Sequence, residues 1–171
     1  MTELKTERLT LRPFRLEDAE TAHRLFGTDE DMYRYSGWNP YATVEDAERF
    51  IKTTLEDNDP RAYCFAVEHA GKIVGNIGAY NYEEALKRVE VGCAIAKDFW
   101  GEGFATEALK AVLQFLTERE DVSTVVAWCA EDNIGSRRVL EKGGMVLESV
   151  EKDGLTVGDK TYNKLNYAYR Q

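Results

Sequence analysis

Phe99-Trp100-Gly101-Glu102-Gly103-Phe104-Ala105-Thr106 sets the reading of the whole chain. Two glycines stand between an apolar, strand-like run and the first turn of a helix. Glycine lets a backbone turn tightly and approach a ligand, and the unpaired amides of a helix start carry partial positive charge, so such a loop can seat a pyrophosphate. Alone the signal is weak, because glycine ahead of a helix is also ordinary turn chemistry. A dinucleotide-binding fold is the first rival, since the stretch spells G-x-G-x-x with Thr106 where a third glycine belongs. Position argues against it: three strand-like runs precede the loop, and too little chain follows for further βα units. The nucleotide-triphosphate loop fails more directly, because no G-x-x-x-x-G-K-[ST] occurs.

Upstream of the loop, Leu9-Thr10-Leu11-Arg12 alternates as a strand, and residues 16–26 place Ala19, Ala22, Leu25 and Phe26 at helical spacing before Gly27. Thr43-Val44-Glu45-Asp46 reads as a capping box ahead of a helical stripe of Val44, Ala47, Phe50, Ile51 and Leu55. Residues 63–68 and 72–77 flank His69-Ala70-Gly71 as a hairpin, and residues 88–96 extend the meander after a polar turn around 81–84. Downstream come a helix over 105–118, a buried strand over 124–129 and a helix over 136–142 stopped by Gly143-Gly144. Residues 145–150 and 160–169 close the chain as strands joined by a turn at Asp153-Gly154. The order β-α-α-β-β-β-α-β-α-β-β predicts a sandwich-like α+β fold: a mixed, mostly antiparallel sheet of about seven strands flanked by four helices. No repeat and no Pro/Gly/Ser-rich linker divides the 171 residues, so residues 1–171 read as a single domain.

Composition narrows the function. Hydrophobic residues make up 43% of the chain, with 3 Trp, 9 Tyr and 7 Phe, enough to build a core and exclude a disordered chain. Asp and Glu number 31 against 22 Lys and Arg, a formal charge of -9 that repels phosphate backbones, so nucleic acid is not expected as a partner. The sign favours approach by cationic amines or basic polypeptides, although an acidic surface also serves plain solubility. No apolar run nears the ~18 residues that span a bilayer, and the charged residues 1–8 do not form a signal peptide, which predicts a cytoplasmic protein without membrane association. Cys64, Cys93 and Cys129 are too few for a disulfide framework, and His23 and His69 lack metal-ligand spacing, so no metal is expected.

Four ordered segments resemble the GNAT superfamily of N-acetyltransferases, in the branch that holds the ribosomal-protein N-terminal acetyltransferases. They are Thr6-Glu7-Arg8-Leu9-Thr10-Leu11-Arg12, Val89-Glu90-Val91-Gly92, the loop and helix start from Phe99 to Ala108, and Asn133-Ile134-Gly135-Ser136-Arg137-Arg138-Val139-Leu140-Glu141-Lys142-Gly143-Gly144-Met145. The resemblance covers nearly the whole chain. It implies acetyl-CoA as cosubstrate, bound in a cleft where two parallel strands splay. Pantetheine then runs along Cys93, Ala94 and Ile95, and the pyrophosphate rests on Gly101, Glu102, Gly103, Phe104, Ala105 and Thr106. Asn133 matches a residue that contacts pantetheine, and Ser136 a hydroxyl that donates to the leaving thiolate; the plainer alternative for both is N-capping of the last helix. Glu90 matches a general base, or is a charged residue on an exposed strand face. A backbone amide near Ile95 is the implied oxyanion donor. Where the family often carries aromatics, this chain has Cys93-Ala94 and Met145; the smaller side chains either admit a bulkier amine or repack.

Acyl transfer to an amine needs that amine neutral. A free α-amine near pKa ~7.8 is partly neutral at pH 7, whereas a lysine near ~10.4 needs over three units of help, roughly 4 kcal/mol. With one candidate base, the acceptor is expected to be a primary amine, in the first instance a protein N-terminus, attacking directly in a ternary complex. A small amine (polyamine, amino acid or antibiotic) is the alternative acceptor, and a non-catalytic CoA-binding sensor the alternative from another class. A covalent route through Cys93 lacks a neighbouring cation or helix start to lower the thiol pKa. Tyr33, Tyr35, Trp38, Tyr41, Tyr162, Tyr167 and Tyr169 line the acceptor pocket or pack in the core. A homodimer stays open as an assembly.

Overall fold

Strand alternation feeds two hydrophobic layers. In β3 (Tyr63–His69), Phe65 and Val67 enter one core, and Ala66 between them enters another on the opposite face. The computed structural model describes residues 2–119 and 121–171; Met1, at the head of the charged N-terminal stretch, lies outside them. The other strands are β1 (Leu4–Lys5), β2 (Leu9–Pro13), β4 (Lys72–Glu83), β5 (Arg88–Ile95), β6 (Thr124–Ala130), β7 (Val146–Val157) and β8 (Lys160–Arg170). Together they form one sheet of order β1-β2-β3-β4-β5-β6-β8-β7. Every pairing is antiparallel except β5 with β6, whose connection carries the helix α3 (Phe104–Thr117). The mixed, mostly antiparallel sheet with four helices is as expected, with one strand more: β1 has only two residues, too few for a periodic pattern.

The larger core sits between one sheet face and α3, which buries Ala108, Leu109, Val112, Leu113 and Leu116 along one stripe. Each leucine so buried contributes about 1.5–3 kcal/mol. The helix α4 (Ile134–Gly143) packs beside α3 and ends as predicted: Gly144 takes φ +97°, and the N–H groups of Gly144 and Met145 bond back to the carbonyls of Glu141 and Leu140. The smaller core holds Phe14, Phe26, Tyr41, Ala47 and Ile51 under α1 (Ala19–Ala22) and α2 (Val44–Glu56). Thr43 caps α2 as expected, accepting from the Asp46 N–H at 3.0 Å. No helix among the described residues is long and apolar enough to cross a membrane.

Three expectations need correction. The helix expected over 16–26 is a composite: a 3-10 turn at Leu16–Asp18, α1, then a π turn at His23–Gly27. Buried Arg12 grips Asp18 in a bidentate pair at 2.7 and 3.0 Å and fixes its entry, while Tyr41 O accepts at His23 Nδ1 and closes on Gly27 at its exit. The polar stretch 81–84 is no turn: β4 continues to Glu83 with a register shift after Tyr80, and the chain reverses through Glu84–Leu86 and Lys87. Asp153-Gly154 lies in a bulge within β7, and the hairpin turns at Gly158 (φ +62°) and Asp159. In both strands a residue with turn-forming character supplies a left-handed bulge instead of a turn.

Candidate active site

β5 and β6 pair only from Arg88 to Glu90, opposite Thr124 to Val126. Beyond Glu90, β5 stays with β4 and β6 with β8, so the two parallel strands part. The Ala96 N–H donates to Val74 O at 2.9 Å, and backbone direction alternates along the ladder. Val91, Cys93 and Ile95 therefore turn their N–H and C=O groups into the gap. Ile95 O is met there by the Trp100 indole, whose Nε1 donates at 2.6 Å.

At the wide end of the gap stands the glycine loop. Gly101 and Gly103 have φ +83° and +81°, a region that side-chain-bearing residues rarely adopt. The first bond of α3 runs from Glu107 N–H to Gly103 O, which leaves the amides of Phe104, Ala105 and Thr106 without intrahelical partners. The opening motif holds this loop in shape. Thr6 Oγ1 and the Arg8 backbone N–H donate to Glu107 Oε1 at 2.5 and 2.9 Å, Arg8 Nε donates to Oε2 at 2.7 Å, and Arg8 Nη1 donates to Glu102 O at 2.9 Å. The Arg8 guanidinium also lies 4.8 Å from the Phe104 ring centre. Burial pushes the Glu107 carboxyl up, but the Thr6 and Arg8 donors outweigh it and hold the group below its ordinary value. Free backbone edges in the gap and an open helix start beside it fit an extended thioester arm that ends in a pyrophosphate.

The narrow end is built from side chains. Glu90, Gly92 and Ala94 alternate with the core residues Val89, Val91 and Ile95 and so face away from α3. Trp128 Nε1 donates to Glu90 Oε1 at 2.9 Å, and Asn81 Nδ2 donates to Oε2 at 3.3 Å. The Lys164 ammonium lies 5.4 Å from the Trp128 ring centre. Tyr80, opposite Glu90 in the ladder, covers Gly92 so closely that a Cβ there would meet its hydroxyl at 2.6 Å. Burial, then the Glu90 charge and a hydrogen bond to Glu90, push the Tyr80 hydroxyl up to about 12, so it is a neutral donor at neutral pH.

The other candidate residues separate by place. Asn133 is the N-cap of α4, its Oδ1 accepting from the Ser136 N–H at 3.2 Å, and Ser136 is half-buried one turn above. Burial pushes the Cys93 thiol up to about 12. Tyr41 and Tyr167 are buried core residues, whereas Tyr35 is half-buried and packs edge-on against Tyr162 between the loop after α1 and β8. Tyr80, Asn81 and Trp128 escape sequence reasoning, since each sits within a strand or turn pattern with nothing to mark its contact. Arg8 is partly legible, because it belongs to the opening motif.

The acetyltransferase (GNAT) domain family matches residues 8–146. The uncharacterized N-acetyltransferase YoaA of Bacillus subtilis (strain 168) is 30% identical over 150 residues, 86% of this chain and 84% of that protein. The GNAT-family acetyltransferase structure from Bacillus anthracis is 26% identical, covers 99% and 98% of the two chains and superposes with a TM-score of 0.87. RimL, a ribosomal L7/L12 alpha-N-protein acetyltransferase solved with coenzyme A, shares the fold at 19% identity and a TM-score of 0.90, over 99% and 98%. Parted parallel strands beside an open helix start are thus matched by similarity over most of the chain, and the protein belongs to the acetyltransferase (GNAT) family as an N-acetyltransferase that draws on acetyl-CoA.

Proposed function

We propose that the acceptor is a primary amine entering on the Glu90 side of the gap, that Glu90 takes its proton directly or through water, and that a polypeptide α-amine is the natural form. The observation that carries this reading is the state of Glu90. It is the last residue paired before the strands part, its two oxygens receive neutral donors, and among the described residues no cation pairs with it. A carboxylate in that state can remove the proton an ammonium must lose before it attacks. The polypeptide form is supported by the ease of deprotonating an α-amine, which is partly neutral at pH 7 and asks less of a single base than a lysine does. RimL, which has the same fold, is named for modifying a protein α-amine.

Bound acetyl-CoA supplies the acetyl thioester. The amides of Gly101, Glu102, Gly103, Phe104, Ala105 and Thr106 hold the pyrophosphate, the gap-facing groups of Cys93 pair with pantetheine, and Ala94, Ile95 and the Asn133 amide shape its path. The Ile95 N–H receives the negative charge that develops on the carbonyl oxygen. Ser136 gives a hydrogen bond to the departing sulfur. Cys93, with its thiol pushed up to about 12, is left out of the covalent chemistry, which supports direct attack by the amine. The three cysteines are free, which suits a reducing compartment such as the cytoplasm.

The test is acetyl-CoA-dependent thiol release with three acceptor sets: lysine-free peptides with a free N-terminus, blocked peptides containing lysine, and small amines including polyamines. Release with the first set is expected. Release with small amines alone would replace the polypeptide reading by a small-molecule one, and acetyl-CoA binding without release from any set would indicate a sensor.

A further inference from the structure

We propose that Asn81 and Trp128 are positioning residues for Glu90: two neutral donors, one carried by β4 and one reaching from β6, that fix the carboxylate without neutralising it. This inference rests on the reading of Glu90 as the base.

Asn81 follows Tyr80, which pairs with Glu90. In a regular strand, successive side chains point to opposite faces, so Asn81 would face away from Glu90. It does not, because β4 is irregular there: Asn81 has φ +54°, and the register shifts between Tyr80 and Glu83. The distortion brings Nδ2 to 3.3 Å from Glu90 Oε2. Asparagine tolerates the left-handed region better than most side chains and also carries the amide that uses the position. The opposite donor comes from the other strand of the parallel pair. Trp128 lies two residues beyond Val126, the partner of Glu90, and its indole spans the opening to donate at 2.9 Å. Lys164 sits over the same ring at 5.4 Å and gives its face a cationic neighbour. An arginine or lysine partner would orient Glu90 equally well but would hold it as an ion pair. Tyr80, which faces Glu90 from β4, is neutral as well, so Asn81, Trp128 and Tyr80 together leave the charge available to the amine.

Glycine accepts φ +54° without strain, so Asn81→Gly removes only the amide, whereas Asn81→Ala removes the amide and strains the backbone. With Trp128→Phe, these variants separate positioning from structure. Asn81→Gly and Trp128→Phe are each expected to lower kcat by about tenfold or more with the acetyl-CoA Kd unchanged, as for a displaced catalytic group. In a Glu90→Gln background, neither should lower kcat further. Wild-type activity in Asn81→Gly together with loss in Asn81→Ala would reduce Asn81 to a backbone role. Equal losses in the presence and absence of Glu90 would show that both residues act elsewhere, and either result overturns the proposal.

A second readout does not depend on turnover. The protein has three tryptophans, so Trp128→Phe assigns the Trp128 indole N–H resonance in a nitrogen–proton correlation spectrum. An N–H that donates to a carboxylate resonates downfield of a free one, so this resonance should move upfield in Glu90→Gln. A resonance indifferent to Glu90→Gln would remove the clamp. Full activity of Glu90→Gln would instead sink the base assignment, a different outcome from an unmoved indole resonance.

Discussion

The two ends of the gap between β5 and β6 are made of different material. At the wide end, ligand-facing groups are backbone amides, and side chains such as Thr6, Arg8 and Glu107 stand behind them to hold the loop. At the narrow end, the reacting groups are side chains, brought together from β4, β5 and β6. A backbone site depends on conformation, so glycine and a helix start are enough to specify it and many neighbouring side chains are free to vary. A side-chain site depends on three separate strands reaching one point, so it can change its acceptor without disturbing the donor side.

The largest expected effect tests the narrow end. Glu90→Gln should lower kcat by about 10²–10⁴-fold, the usual span for a general base, and leave the acetyl-CoA Kd within about twofold of wild type. A matching loss of cofactor affinity would mean that the two ends are not separable. Gly103→Trp tests the opposite end. It forces a bulky residue into φ +81° and blocks the close approach of a ligand, so calorimetry should show acetyl-CoA affinity falling by about tenfold or more, since the left-handed region alone costs ~1–2 kcal/mol. Undiminished affinity would remove the pyrophosphate from this loop.

The same division decides how much of the molecule is legible in the sequence. The glycine loop, the hairpin at Ala70-Gly71 and the stop at Gly144 announce themselves, because positive φ selects a narrow set of residues. Glu90 is visible through its motif. Its partners are not: Asn81 sits in a run that reads as a polar turn, and Trp128 in one that reads as a buried strand. No local pattern indicates that a bulge turns the first back toward the carboxylate or that the indole of the second spans the opening. The Asp153-Gly154 misreading has the same origin, since turn-forming residues also build bulges and only the register across the hairpin distinguishes them.

A smaller effect separates support from contact at the wide end. Glu107 is held below its ordinary pKa in the folded chain, so its contribution to stability is present above the unfolded glutamate value of ~4.3 and is lost as pH falls through the depressed folded value. Between neutral and acid pH, the Tm of the wild type should therefore drop more steeply than that of Glu107→Gln. The variant should bind acetyl-CoA several-fold more weakly at neutral pH, because Arg8 loses its partner and Glu102 O its fixed donor. Parallel Tm curves would mean that the loop keeps its shape without the clamp.

The smallest effect is expected where a glycine stands at the narrow end. A Cβ on Gly92 would meet the Tyr80 hydroxyl at 2.6 Å, yet that atom is the far end of a side chain that is 40% exposed and can swing outward. Gly92 has no positive φ to defend. Gly92→Ala should therefore cost no more than about 1 kcal/mol of stability, the ordinary size of a point substitution, in contrast to Gly103→Trp. Acetyl-CoA affinity should hold, and the lesion should appear in kcat, because the phenol that swings outward no longer stands against Glu90. If Gly92→Ala instead weakens acetyl-CoA as strongly as Gly103→Trp does, the narrow end also touches the donor through its backbone, and the contrast between a backbone side and a side-chain side fails at this residue.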